Sequence, residues 1–190
     1  MADGDVAPAS TAAAPACGPG ACCVGVAVAV PDPWAAQLRA ARASYGDPQA
    51  DHVPPHVTLV PPTCIDAASL NDVETLIREA CRIRGAFTMH LRGTATFRPV
   101  SPVVHIQVVR GVSDCEQLER ALLAGPLAQE LFFPYHPHVT VAQGVPDAEL
   151  DRAFADLARF EAVFPVRDIC LFTQQPDGTW FVASRIALGE

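Results

Sequence analysis

Pro55-His56-Val57-Thr58-Leu59-Val60 and Pro137-His138-Val139-Thr140-Val141-Ala142 spell one four-residue word twice, Pro-His-Val-Thr, and run on each time into apolar residues. Each copy reads as a short strand entered from a proline. Along a strand, residues i and i+2 point the same way. His56 and Thr58 therefore share one face, as do His138 and Thr140, while Val57, Leu59, Val139 and Val141 fill the other. Each copy presents an imidazole beside a hydroxyl. Taken singly, such a histidine is more often a strand end with its ring bonded to backbone; a matched pair is much harder to explain in that way.

The chemistry that uses two such units is phosphoester cleavage. A neutral imidazole can take a proton from an attacking water, and a charged one can give a proton to the leaving oxygen. An ordinary pKa near 6.5 lets both forms exist near neutrality. The two threonine hydroxyls can donate to non-bridging phosphate oxygens, where charge builds in the transition state.

Two His-x-Thr-x motifs with apolar x, some eighty residues apart in a chain of about this length, resemble the two-histidine (2H) phosphoesterase superfamily, and within it the LigT-like, 2′-5′ RNA ligase branch. The resemblance spans roughly residues 22 to 188. It implies an α+β fold that is bilobal and duplicated, with two antiparallel-rich sheets and flanking helices around a central cleft, one motif per lobe. It also implies metal-independent opening of 2′,3′-cyclic or related cyclic phosphodiesters, or action on short RNA ends, with no cofactor. Carried over by position, His56 is the proton donor, His138 the proton acceptor, and Thr58 and Thr140 the phosphate ligands. LigT-like proteins often carry an arginine shortly after the second threonine, where this chain has Gln143.

With 190 residues, 50% of them hydrophobic and 18% charged, the chain suits one domain of two similar halves. Thirteen basic against twenty-one acidic residues give a net charge of −8. That disfavours long nucleic acid or an anionic membrane as partner; a monomer acting on the small cyclic nucleotide or short RNA end that the resemblance implies is expected. All thirteen basic residues are arginine, which excludes a lysine Schiff base, a P-loop lysine and the lysine adenylate of ATP-dependent ligases. Seven cysteines without a Cys-x-x-Cys pair suggest buried or free thiols in a reducing cytoplasm. Residues 1–21, rich in Ala, Pro and Gly, read as a disordered tail and as no targeting peptide; residues 22–190 form the bilobal domain. No apolar run is long enough to span a membrane.

In chain order, Val24, Val26, Val28 and Val30 alternate with Gly25, Ala27 and Ala29, a strand with one small face to which a cleft or helix can come close. Asp32-Pro33 opens a helix through Leu38 and Tyr45 that ends at Gly46. Pro61-Pro62 is expected to stop the first motif strand. Ser69-x-x-Asp72 and Ser113-x-x-Glu116 read as capping boxes of two helices, and Asp147 as the cap of another. Strands are expected over 87–97 and 103–109, completing the first lobe, and a closing hairpin over 161–174 and 179–188 around Pro176-Asp177-Gly178. Helix, motif strand, helix and hairpin thus occur twice.

Two rival readings stand beside hydrolysis: a binding module that holds a nucleotide or RNA end without turnover, and a metal hydrolase using His52, His136 and the motif histidines. The second is poor in carboxylates, since only Asp51 lies within six residues of either motif, and a hydrolytic two-metal site wants several. His52 and His136 are expected at the cleft mouth, His105 on an exposed sheet position and His90 on the surface. Among Phe97, Phe132, Phe133, Tyr135 and Trp180, most are expected in the core; Tyr135 and Gln143 are possible substrate contacts.

Overall fold

Alternating strands place the two histidines at the start of two edge strands. The computed structural model describes residues 17–131 and 133–190, with the elements β1 (Ala21–Ala29), α1 (Trp34–Ser44), β2 (His56–Asp66), α2 (Leu70–Arg82), β3 (Phe87–Thr96), β4 (Val103–Arg110), α3 (Val112–Leu122), β5 (His138–Gln143), α4 (Asp147–Asp156), β6 (Glu161–Val166), β7 (Asp168–Gln174) and β8 (Trp180–Ala187). They form two four-stranded antiparallel sheets, β2-β1-β7-β8 and β5-β4-β3-β6. The motif strands β2 and β5 are each the edge of their own sheet, and they approach one another.

The period-two reading holds in both motifs. Val57, Leu59, Val139 and Val141 are fully buried, whereas His56, Thr58, His138 and Thr140 are half-buried. Each inward aliphatic contributes about 1.5–3 kcal/mol by leaving water, and a one-residue slip would turn every one of them outward. Burial thus locks the imidazoles and hydroxyls onto the opposite face.

Several expectations are corrected. Pro61-Pro62 does not stop β2, which runs to Asp66. Val24 pairs with Thr63 and Val26 with Val60, so Gly25 alone faces the two prolines, a β-bulge on an edge strand where the missing N–H groups cost no ladder bond. The closing hairpin forms as β7-β8, but its expected first arm, 161–174, is two strands and a crossing: β6 pairs with β3, and after Arg167 the chain moves to the other sheet, where β7 pairs with β1 and β8. The first hairpin, β3-β4, likewise joins the sheet of the second motif. The halves therefore exchange hairpins and do not close separately. Helices cross too, for α1 packs on β5 and α3 on β2.

Neither serine caps its helix. Asp66 accepts from the Ala68 amide at the head of a short 3₁₀ turn before α2, and Gly111, at φ +97°, starts α3 two residues early. A side chain on Gly111 would also meet Phe87 and the Thr88 carbonyl at 3.2–3.3 Å. Asp147 lies within the first turn of α4, behind Pro146. Pro33 takes the N-cap position of α1 expected for Asp32, whose side chain still accepts from the Ala36 amide at 3.1 Å.

Cys17 and Cys64 form a disulfide, against the expectation of free thiols; Cys22, Cys23, Cys81, Cys115 and Cys170 are free. Residues so far apart in sequence meet because β1 and β2 pair from Ala21 opposite Asp66. Of the expected tail, residues 1–16 lie outside the described residues, as does Phe132. Among the described residues no helix is long and apolar enough to cross a membrane.

Candidate active site

The two motif histidines are held by the same device. His56 Nδ1 lies 2.7 Å from the carbonyl oxygen of Pro54, and His138 Nδ1 lies 2.7 Å from that of His136. In each case the acceptor is two residues upstream, across a buried proline (Pro55, Pro137) that keeps the preceding residue extended. An Nδ1–H donated to a carbonyl leaves Nε2 as the free base. For His56 that nitrogen sits 3.1 Å from the Thr58 hydroxyl; among the described residues the Thr140 hydroxyl and His138 Nε2 have no protein partner.

A cleft of about 590 Å³ lies between the sheets, walled by His56 and Thr58 from one motif and Thr140 and Gln143 from the other. His138 is not among the wall residues, but it lies near enough to His56 to feel its charge. Gly25 and Ala27 form part of the floor, so the small face of β1 is what admits the cleft; the Trp180 ring lies 3.5 Å from where a Gly25 side chain would begin. Trp180 and Phe172 make an apolar wall, with Phe172 6.2 Å from the His56 ring.

Burial biases both imidazoles toward the neutral form. It lowers the His56 pKa, opposed by the Pro54 carbonyl and reinforced by Arg42. It pushes His138 down to about 4, with the charges of His136 and His56 acting in the same direction against the bond to the His136 carbonyl.

The other sequence candidates separate. His105 is buried, 1% exposed, and so is not the exposed position expected: β4 is an interior strand, and the ring stacks on Phe97 at 4.2 Å and meets His138 at 5.0 Å. Both its ring nitrogens lack partners, and burial followed by His138 and His136 depresses it to about 3. Phe97 thereby wedges against His105, His136 and His138. His52 Nδ1 bonds the Thr179 hydroxyl at 2.9 Å, and His90 pairs with Glu161 at the surface. Tyr135 donates to the backbone carbonyl of Thr58 at 2.8 Å, tying the approach to the second motif onto the first; it is not among the cleft's wall residues. Gln143 does line the cleft, and its backbone N–H donates to Asp47. Among the described residues no group of three or more His, Cys, Asp or Glu is placed to hold a metal ion.

Sequence reasoning missed Arg42 and Asp47, a buried ion pair at 2.7 Å. The signal was present: Arg42 follows Ala35 and Leu38 at helical spacing, a charge set into the apolar stripe of α1.

Residues 30–178 match the 2′-5′ RNA ligase superfamily. A Bacillus anthracis protein named "Putative phosphoesterase" is 27% identical over 146 residues, covering 76% of this chain and 84% of that one. Among solved structures, E. coli LigT complexed with 3′-AMP superposes with a TM-score of 0.61 at 19% identity, over 90% of this chain and 99% of that one. TT0787 of Thermus thermophilus does so with 0.56 at 22%, over 88% and 98%. Two antiparallel sheets, exchanged hairpins and one His-x-Thr per lobe are thus this chain's version of a LigT-like fold, and the chain belongs to the 2′-5′ RNA ligase superfamily.

Proposed function

We propose that this chain is a phosphoesterase that opens 2′,3′-cyclic or related cyclic phosphodiesters, or acts on short RNA ends, by two-imidazole acid/base catalysis without a cofactor. The observation that carries the reading is the matched pair of histidines, His56 in the cleft wall and His138 close enough to feel its charge, each with Nδ1 tied to the carbonyl two residues upstream and Nε2 left for chemistry. In the reaction His138 Nε2 takes a proton from water. The water oxygen bonds to phosphorus as the ester P–O bond breaks, and His56 gives a proton to the departing ribose oxygen. Thr58 and Thr140 donate to the non-bridging oxygens, holding the charge that grows on them. Names carried by relatives, a phosphoesterase and a LigT complexed with 3′-AMP, support the same substrate class. The cleft volume suits a mononucleotide better than a duplex, and a net charge of −8 disfavours long nucleic acid.

The test is a panel of 2′,3′-cyclic mononucleotides, ADP-ribose cyclic phosphate and short RNAs, assayed for hydrolysis with the wild type, His56→Ala and His138→Ala. Turnover of at least one substrate that both variants lose supports the reading. Tight binding without turnover by the wild type would make the chain a binding module instead.

A further inference from the structure

We propose that Arg42 is the cation that binds the substrate's phosphate in this cleft, with its guanidinium positioned by Asp47. The proposal rests on the phosphoester reading above. Among the described residues, Arg42 is the sole charged one lining the cleft. A phosphodiester carries negative charge that grows during hydrolysis, and a chain of net charge −8 repels it. Burial biases both imidazoles toward the neutral form, so at neutral pH they supply little standing countercharge.

The local bonding fits a donor held in waiting. Arg42 is 3% exposed, and its Nε donates to Asp47 Oδ2 at 2.7 Å. Its Nη2 is buried with no partner, an arrangement that costs stability and is rare without a reason. Asp47 is itself satisfied elsewhere: Oδ1 accepts from the Gln49 amide at 2.8 Å and Oδ2 also from the Gln143 amide at 3.1 Å. Two backbone amides thus hold the carboxylate in place beside Nε, and what the arginine leaves for a phosphate oxygen is its unpartnered Nη2. Through Gln143 the carboxylate also links Arg42 to the end of the second motif strand, so the guanidinium is placed between the two lobes. A guanidinium fork matches phosphate oxygens, and in a low-dielectric wall its charge reaches further than in water.

The test is titration of the full-length chain with inorganic phosphate at pH 7, followed by calorimetry. Arg42→Met alone would strand the buried Asp47, so the variant is Arg42→Met/Asp47→Asn, with thermal melting to verify folding. Wild type should bind phosphate and the folded double variant should bind about tenfold or more weakly, with Arg42→Lys in between. A folded double variant that binds as tightly as wild type overturns the role of Arg42 and leaves the phosphoester reading standing. A wild type that neither binds phosphate nor opens any cyclic phosphodiester overturns both. Should the double variant not fold, the Nη resonances of Arg42 in the wild type decide: phosphate must move them, and binding that leaves them unmoved overturns the proposal.

Discussion

His56 Nε2 lies 3.1 Å from the hydroxyl of Thr58, whereas His138 and Thr140, the same two residues of the second motif, make no such bond. The first motif is closed on itself at rest and the second is open. Thr58 therefore has two tasks, aligning His56 and meeting phosphate, while Thr140 has one.

Thr58→Val is accordingly expected to lower kcat/KM more than Thr140→Val does. Neither should approach the loss from His56→Ala or His138→Ala, since one hydroxyl donor is worth at most about 10²–10³ in rate. Steady-state kinetics of the four variants on one cyclic nucleotide checks this. A larger loss at Thr140 would mean that the resting bond positions nothing.

The acid and base roles set the pH profile. Activity needs His138 neutral, which holds above about 4, and His56 charged, which holds below a pKa depressed from 6.5. Both limbs of the kcat/KM profile of the free enzyme should therefore lie below pH 6.5, a bell with an acidic optimum. A nitrophenyl diester, whose leaving group needs no proton, should restore much of the rate of His56→Ala and little of that of His138→Ala. Rescue of His138→Ala in its place reverses the assignment.

His105 should make the fold acid-sensitive. Its pKa is pushed down to about 3 in the folded chain and that of His138 to about 4, against about 6.5 unfolded. Below 6.5 the unfolded chain takes up protons that the folded chain refuses, so stability falls as pH drops from 6.5 toward those values, by at most about 1.4 kcal/mol per pH unit per histidine. Above 6.5 these groups contribute no slope. Thermal melts at pH 7 and 4.5 should differ less in His105→Phe than in wild type; an equal difference would show that His105 is not held neutral.

Trp180 should bind the base. Its ring lines the cleft beside Phe172 and above the small face of β1, and stacking is worth about 1–3 kcal/mol per base. Trp180→Leu should raise KM for a cyclic nucleotide while leaving affinity for inorganic phosphate unchanged. If KM for the nucleotide does not move, the base lies elsewhere.

The sequence alone determined the faces. A period of two and an apolar filling place His56 with Thr58 and His138 with Thr140 whatever the surrounding topology, because those valines and leucines must leave water. Spacing likewise located α1, α2, α3 and α4 and most of the strands, although 161–174 read as one strand and is two. What only the tertiary structure decided is pairing between distant segments. The β3-β4 hairpin joins the second motif and β7-β8 the first, because each sheet completes its buried face with strands from the other half, a choice that local pattern does not encode. The same exchange carries α1 across to β5, and so brings Arg42 and Asp47 to Gln143 and buries His105 under Phe97. A charge or an imidazole in an apolar stripe was visible in the chain; which cleft it faced depended on contacts between residues on average far apart in sequence.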